Sequence, residues 1–186
     1  MHNSKIKKKI ITLIGPTACN KTSTAVHLIK KFPISIIGVD SVQIYKRFNI
    51  GSAKPPKEIL EKYRHHLVDS ADPENIFSVK DFYDQAYRIV LQAHSNNRIP
   101  LLVGGTMMYF NALFKGINDI PEGNEAIREE LQQELDNKGV DKLFNDLKEI
   151  DPESAKTIKE NDKQRIMRAL EVFKISGKRT VSYTHL

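Results

Sequence analysis

The sequence contains a single cysteine and no apolar run long enough to enter a membrane. The lone Cys19 excludes an internal disulfide framework and fits a protein of a reducing compartment. The apolar stretch Ile10–Ile14 is too short for the core of a signal peptide, and nothing approaches the length of a transmembrane helix. We therefore expect a cytoplasmic protein with no membrane partner.

Charge and composition are not extreme either. Of the 186 residues, 40% are hydrophobic and 28% are charged, which is typical of a globular domain with one sizeable core. The net charge is +6, and much of the excess lies in the opening MHNSKIKKK. The charge therefore fits an acidic partner, such as nucleic acid or a phosphorylated small molecule, as well as a merely basic surface with a solvated tail.

Strands and helices alternate in the first part of the chain. Apolar runs predict strands over Lys9–Ile14, Ile34–Val39 and Ile99–Val103, and helical spacing predicts helices over Lys21–Lys31 and Ser78–His94. Continuous apolar strands separated by helices are typical of a parallel sheet. The predicted fold class is α/β, with a core formed by residues 1–117.

The pattern changes after Gly116, where charged amphipathic helices replace strands. Helices are predicted over Asn124–Asp136, Val140–Ile150, Pro152–Ile158 and Lys163–Ile175, with Asp151 as an N-cap and Gly177 as a C-terminal stop. We predict that residues 118–161 form an α-helical insertion and that residues 162–186 form a helix returning to the core. No closing element follows it, so we expect the natural protein to continue.

The first motif is GPTACNKT, Gly15–Thr22, which follows the first strand and opens a helix. It matches the phosphate-binding pattern G-x-x-x-x-G-K-[ST] except that Asn20 replaces the second glycine. Asparagine is the non-glycine residue that best tolerates a left-handed backbone, so a phosphate-binding loop is predicted in spite of the substitution. The motif fits a nucleotide such as ATP, or any other diphosphate. The alternative is a strand–turn–helix junction with a coincidental lysine.

The second motif, VDSVQIYKRFNIGSAKP, begins at the carboxyl end of the second strand. Ligands of open α/β sheets collect at that edge, so Asp40 is expected beside the loop. A carboxylate there can hold Mg²⁺ or accept a proton from a nucleophile. The alternative is that Asp40 only caps a turn or a helix.

Two further motifs carry polar groups near helix starts. In LLVGGTMMYF, Gly104 and Gly105 permit close backbone approach, and Thr106 offers a hydroxyl at a helix start. The alternative is a tight turn that Thr106 simply caps. Met107–Phe110 are expected in the core. In NDKQRIMR, basic side chains near one end of a helix fit phosphates or bases, or ordinary solvated charge. The pair His65 and His66 lacks further residues for a metal site.

Taken together, GPTACNKT, VDSVQIYKRFNIGSAKP, HHLVDSADP, RIPLLVGGTMMYF and NDKQRIMRALEVFKISGK resemble the tRNA dimethylallyltransferase family. They occur in the family's order and cover the chain from Ile10 to Lys178. The chain departs from the family in Asn20 and in stopping before the usual C-terminal portion, which helps hold the anticodon stem-loop. The resemblance implies a P-loop NTPase-like parallel sheet flanked by helices, with an α-helical insertion.

The resemblance also implies an activity: transfer of a dimethylallyl group from dimethylallyl diphosphate to N6 of the adenosine at position 37 of tRNA, beside the anticodon. The implied partners are dimethylallyl diphosphate and the tRNA anticodon stem-loop, the implied cofactor is Mg²⁺, and we expect a monomer. Asp40 would be the general base, assisted in catalysis by Lys21 and Thr22, and the metal would lie at Thr22 and Asp40. The diphosphate would bind to Gly15, Pro16, Thr17, Ala18, Cys19, Asn20, Lys21 and Thr22. The tRNA would bind to Asp40, Ser41, Val42, Gln43, Thr106, Arg128, Gln164, Arg165, Ile166, Met167 and Arg168.

Three other functions remain open at this point. An adenylate isopentenyltransferase would prenylate a free nucleotide, although the helical insertion and the segment 164–168 favour the larger tRNA. A small-molecule P-loop kinase would use the same loop. A non-catalytic RNA- or nucleotide-binding fragment would bind without turnover.

Overall fold

The computed structural model describes residues 9–117 and 120–180. The chain divides into two compact units, Met1–Ile117 and Asn118–Leu186. The predictions for the lysine-rich start before residue 9 and for an open end after residue 180 lie outside the described residues. Within the described ranges, no helix is both long and apolar enough to cross a membrane.

The first unit is an α/β layer structure. Its strands are β1 (Ile11–Ile14), β2 (Ile34–Val39), β3 (His65–His66) and β4 (Ile99–Gly104), and its helices are α1 (Lys21–Ile29), α2 (Lys57–Lys62), α3 (Val79–Ser95) and α4 (Met107–Lys115). In the described part of the chain, the strands form one parallel sheet in the order β1-β4-β2-β3. The predicted α/β class is confirmed.

Helices cover both faces of the sheet, which explains why β2 is buried along its whole length. Successive side chains of a strand point to opposite faces. Ile36 therefore packs in a cluster with Ala25 of α1, whereas Ile37 packs in a cluster with Phe82 of α3. The Phe82 and Tyr109 rings stack with centroids 4.0 Å apart.

β1 differs from the prediction of a buried strand. Among the described residues β1 pairs with β4 on one side only, and Ile11 and Ile14 are 42% and 46% exposed. A strand with one neighbour is not buried by apolar residues alone. Met107 and Met108 are also exposed, contrary to the expectation for Met107–Phe110, whereas Tyr109 and Phe110 are buried.

The second unit is helical. It contains α5 (Glu125–Ile150), α6 (Pro152–Thr157) and α7 (Lys163–Ser176). Gly139 interrupts α5 with φ 80° and ψ 170°, so the two predicted helices are found on either side of it. Asp151 caps α6 by accepting from the Ser154 N–H, and Gly177 ends α7 in a left-handed conformation, both as predicted.

Residues of α5 and α7 share one core. Its fully buried members include Leu131, Leu143 and Leu147 of α5 and Ile166 of α7. The structure thus places α7 in the same compact unit as the helices of 118–161. The return of residues 162–186 to the α/β core stays a prediction.

Candidate active site

The loop between β1 and α1 contains two non-glycine residues with a left-handed backbone. Asn20 lies at φ 58° and ψ 24°, in the left-handed region, and Ala18 has φ 65°. The Asn20 side chain makes no capping hydrogen bond to α1, so its place is explained by backbone conformation. The substitution of the expected glycine leaves the loop in the conformation a glycine would adopt.

Lys21 lies over this loop. Its Nζ donates to the carbonyl oxygen of Gly15 at 2.8 Å and to that of Pro16, and it lies 3.6 Å from Cys19 Sγ. These oxygens are weak partners for an ammonium compared with a phosphate, since charge-assisted hydrogen bonds are about twice as strong as neutral ones. The ammonium is therefore well placed to turn to an anion held by the loop.

Asp40 follows β2 and organises the turn after it. Its Oδ1 accepts from the backbone N–H of Val42 at 2.9 Å and of Gln43 at 3.1 Å. The alternative prediction, that Asp40 caps a turn, therefore describes Oδ1. Oδ2 accepts no hydrogen bond within the described residues. One oxygen holds the turn while the other is available for chemistry.

Thr106 joins this turn to the end of β4. Although it precedes α4, its hydroxyl does not cap the helix but accepts from the Ser41 N–H at 3.0 Å. The approach depends on Gly104, because a Cβ there would lie 2.0 Å from the Val39 carbonyl oxygen. The motifs that contain Ser41 and Thr106 lie 65 positions apart in the sequence and meet at the carboxyl edge of the sheet.

A cavity of about 450 Å³ opens at this edge. Its lining includes the loop residues Thr17–Thr22, Asp40 and Gln43. Six other lining residues were not predicted from the sequence as part of the site: Ser23, Val26, Ser52, Ala53, Ile59 and Val103. A volume of this size accommodates a small ligand with a diphosphate head.

Thr22 and Asp40, the residues predicted to hold Mg²⁺, both line this cavity and offer it oxygen donors. In the described ranges, no three or more His, Cys, Asp or Glu side chains are grouped as a metal site. Mg²⁺ usually takes one or two protein oxygens and fills its shell with waters and substrate phosphates. The donor set therefore fits a metal that arrives with a diphosphate.

A clamp that the sequence did not reveal shapes the segment 40–55. Lys54, only 3% exposed, donates to the Tyr45 carbonyl oxygen at 2.9 Å and pairs with Asp69 at 2.6 Å. Gln43 Nε2 also donates to the carbonyl oxygens of Ser52 and Ala53. No local spacing predicts these contacts, because they join residues up to 15 positions apart.

In the second unit, two of the residues predicted to contact tRNA share one buried carboxylate. Glu171 is 2% exposed, and its Oε1 accepts from Arg128 Nε at 2.8 Å while its Oε2 accepts from Arg168 Nη1 at 2.5 Å. The Asn124 N–H also donates to Oε1, and Arg168 Nη2 donates to the Pro121 carbonyl oxygen. Both arginines remain partly exposed, so each keeps a surface-facing portion.

The pKa of Glu171 reflects this environment. Burial alone raises the pKa, but the hydrogen bonds from Arg168 and Asn124 and the charges of Arg168 and Arg128 outweigh burial, so the pKa lies below its ordinary value of 4.5. Glu171 is therefore ionised at neutral pH. Sequence reasoning missed this residue because a glutamate on a charged amphipathic helix resembles a solvated one.

The remaining residues of the segment 164–168 divide by exposure. Gln164 and Arg165 are exposed, and Arg165 lies 3.4 Å from the Asp162 carboxylate. Met167 is half-buried, whereas Ile166 is fully buried in the core of this unit. Ile166 can therefore reach a ligand only through its backbone.

Comparison with known proteins identifies the family. A family model described as IPP transferase matches residues 43–185. The chain belongs to the IPP transferase family. Among curated relatives, the tRNA dimethylallyltransferase of Vesicomyosocius okutanii is 48% identical over 174 residues, covering 94% of this chain and 57% of that protein. The enzyme of the same name from Dichelobacter nodosus is 44% identical over 168 residues, covering 90% of this chain and 53% of that protein.

Solved IPP transferase structures agree in fold. The full-length tRNA isopentenylpyrophosphate transferase of Bacillus halodurans is 40% identical, with a TM-score of 0.58 over 92% of this chain and 57% of that one. A eukaryotic dimethylallyltransferase acting on tRNA is 25% identical, with a TM-score of 0.75 over 96% of this chain and 44% of that one. The predicted P-loop NTPase-like fold is confirmed, and the chain spans about half the length of the curated IPP transferases it matches.

Proposed function

We propose that this IPP transferase moves a dimethylallyl group from dimethylallyl diphosphate to N6 of an adenosine in tRNA. The observation that carries the proposal is that the phosphate-binding loop and Asp40 line one cavity. An anion cradle and a carboxylate facing the same space are what an alkyl transfer with a diphosphate leaving group needs. The names of the relatives support the same reaction.

The loop supplies the leaving-group side of the reaction. As the allylic C–O bond breaks, negative charge grows on the diphosphate oxygens. The Lys21 ammonium and the loop N–H groups stabilise that charge, because fixed donors are worth far more in a closed cavity than in water. Mg²⁺ bound at Thr22 and Asp40 would supply further charge neutralisation.

Asp40 supplies the nucleophile side. N6 of adenine is a poor nucleophile because its lone pair is delocalised into the ring. As the N6–C bond forms and the C–O bond breaks, the N6 proton passes to the carboxylate and diphosphate leaves with the bonding electrons. Anchoring of Asp40 Oδ1 by two N–H groups limits the reorientation needed at that moment.

The RNA side of the proposal rests on both units. Base recognition is assigned to Asp40–Gln43 and Thr106, and backbone contacts to Arg128 and to the exposed members of 164–168. The proposed target within tRNA is the adenosine at position 37 of the anticodon stem-loop. We further propose that the enzyme acts in the cytoplasm as a monomer. A cavity that contains a carboxylate suits an RNA base that is flipped out of its stack, and exposed arginines suit the RNA phosphates.

The test is direct. The chain, and a version extended to the full length of its relatives, is incubated with dimethylallyl diphosphate, Mg²⁺ and an anticodon stem-loop, and the nucleosides are analysed by mass spectrometry. We expect the mass of one dimethylallyl group on adenosine at position 37. Prenylation of free AMP instead of RNA, transfer of phosphate from labelled ATP, or RNA binding without product in the extended version would each overturn the proposal.

A further inference from the structure

A second cavity lies at the opposite edge of the sheet in the first unit. Its volume is about 360 Å³. It is built where β2, β3 and β4 begin and where α1, α2 and α3 end, and its polar lining includes Lys62, Arg64, His66, Gln92, Asn96 and Arg98. The length of β2 separates this edge from the phosphate-binding loop by about 17 Å, at about 3.3 Å per residue. It is therefore a separate site.

The charged side chains that line this cavity among the described residues are all positive. Lys62, Arg64 and Arg98 contribute three cations, and no aspartate or glutamate is among the described residues that line it. Neither Lys62 nor Arg64 forms an ion pair within the part of the chain that the structure describes. Burial, followed by the charges of Arg64 and Arg98, lowers the pKa of His66, so a fourth cation is already disfavoured.

One cation is held rigidly. Arg98 Nε donates to the hydroxyl of Ser35 at 3.0 Å and its Nη2 donates to the Ile34 carbonyl oxygen. Ser35 is itself buried and lines the cavity. Arg98 Nη1 has no partner among the described residues, so the guanidinium is fixed while the N–H groups of Nη1 stay available.

Helix ends account for these cations only in part. The C-termini of α1, α2 and α3 lie here, basic side chains often satisfy terminal carbonyls, and Lys62 stands in the last turn of α2. In α3, however, those carbonyls already accept backbone N–H groups of Asn96, Asn97 and Arg98. The Leu28 carbonyl near the end of α1 accepts from the N–H groups of Lys31 and Phe32. These carbonyls of α1 and α3 thus do not require the side-chain donors of Arg64 and Arg98.

We propose that this cavity is a second anion-binding site that takes a small phosphorylated ligand with a phosphate or diphosphate group. Three cations converge on a concave space whose volume suits such a ligand, and Gln92 and Asn96 add neutral donors. A free phosphorylated molecule is favoured over an RNA strand because the cations line one concave space whose volume suits a small ligand. The inference does not rest on the proposed function.

The experiment distinguishes pyrophosphate binding in this cavity from binding at the loop between β1 and α1. Inorganic pyrophosphate is titrated by calorimetry into the full chain carrying Lys21→Ala, which weakens the loop site. We expect saturable binding of one pyrophosphate per chain, weakened at least about tenfold by adding Lys62→Gln and Arg64→Gln. The matched control adds Lys46→Gln and Arg88→Gln, which removes the same two charges from exposed positions outside both cavities. The control should bind like Lys21→Ala.

Three results would overturn the proposal: no saturable binding by the Lys21→Ala chain, equal weakening by the control pair, or a double variant that binds as tightly as its parent. A parallel titration with a short single-stranded RNA completes the test. If Lys62→Gln with Arg64→Gln weakened RNA binding but left pyrophosphate binding unchanged, the result would assign these cations to an RNA backbone. Circular dichroism checks folding, and Arg64→Gln alone serves as the milder second variant.

Discussion

Arg168 and Glu171 lie about one turn apart on α7, and Arg168 Nη1 donates to Glu171 Oε2 at 2.5 Å. The same carboxylate holds Arg128 from α5. One buried charge thereby fixes two arginines that keep exposed surface. In the proposed function these arginines face the RNA backbone, so Glu171 is a positioning residue for them.

Replacing Glu171 by glutamine should weaken RNA binding and change its salt dependence. The amide keeps the shape of the side chain but loses the charge that orders the guanidinium groups, so we expect about a tenfold weaker complex at low salt and a shallower dependence of affinity on salt. Filter binding at several salt concentrations measures both. Glu130→Gln is the control because Glu130 forms an exposed pair with Lys174. An unchanged salt slope in Glu171→Gln would show that the carboxylate only stabilises the fold.

Asp40→Asn should remove catalysis and keep the fold. The asparagine carbonyl can still accept from the N–H groups of Val42 and Gln43, but the amide has no basicity. We expect turnover to fall about 10²–10⁴-fold with RNA affinity changed little. Asp84→Asn, at an exposed position of α3, is the control. Near-normal turnover of Asp40→Asn at saturating RNA would remove the general base from the mechanism.

Asn20→Gly should be tolerated, and Asn20→Val should not. Glycine adopts φ 58° without steric cost, whereas a β-branched residue pays about 1–2 kcal/mol or more for a left-handed conformation. We expect Asn20→Gly to keep or improve pyrophosphate affinity and Asn20→Val to lower it. Calorimetric titration of both variants measures the effect. Equal affinity in the two variants would mean that the conformation at this position does not limit binding.

Stability should decline as the pH falls below about 6.5. Burial lowers the pKa of His65 and of His66 below their ordinary value of 6.5. Below about pH 6.5 the unfolded chain binds more protons than the folded chain, so the free energy of unfolding decreases as the pH falls from about 6.5 through the lowered pKa values of the folded histidines. Above about pH 6.5 the free energy of unfolding levels off. Urea unfolding from about pH 5 to pH 7.5 measures the slope.

A double variant, His65→Gln with His66→Gln, isolates the histidine contribution to that slope. We expect its free energy of unfolding to vary less between pH 6.5 and pH 5 than that of the parent chain. The comparison uses the change with pH and not the absolute stability, since glutamine at a buried position costs stability at every pH. An identical slope in both proteins would assign the pH dependence to other groups.

Some elements were predicted within a residue or two and others were missed. β2 has the predicted bounds and α3 is shifted by one residue, because long apolar or periodic segments carry their own signal. α2 and β3 were not predicted. β3 has only two residues and exists because Ile36 and Ile37 offer it a parallel partner, and pairing of that kind has no local signature.

The same limit applies to the site. The motif around Lys21 and the position of Asp40 after a strand were sufficient to predict that both lie at one edge of the sheet. The clamp by Lys54 was not predictable, nor was the buried state of Glu171, because each depends on partners far away in sequence. A charged side chain does not reveal its own burial.

The sequence by itself determined the strand–loop–helix order, the left-handed backbone at Asn20 and the family, because these depend on residue type and short-range spacing. Tertiary structure alone decided that β1 pairs with β4 only among the described strands, that Thr106 bonds to Ser41 instead of capping its helix, and that one carboxylate holds two arginines. The physical reason is that burial and pairing are properties of neighbours in space, and folding brings those neighbours from distant parts of the chain.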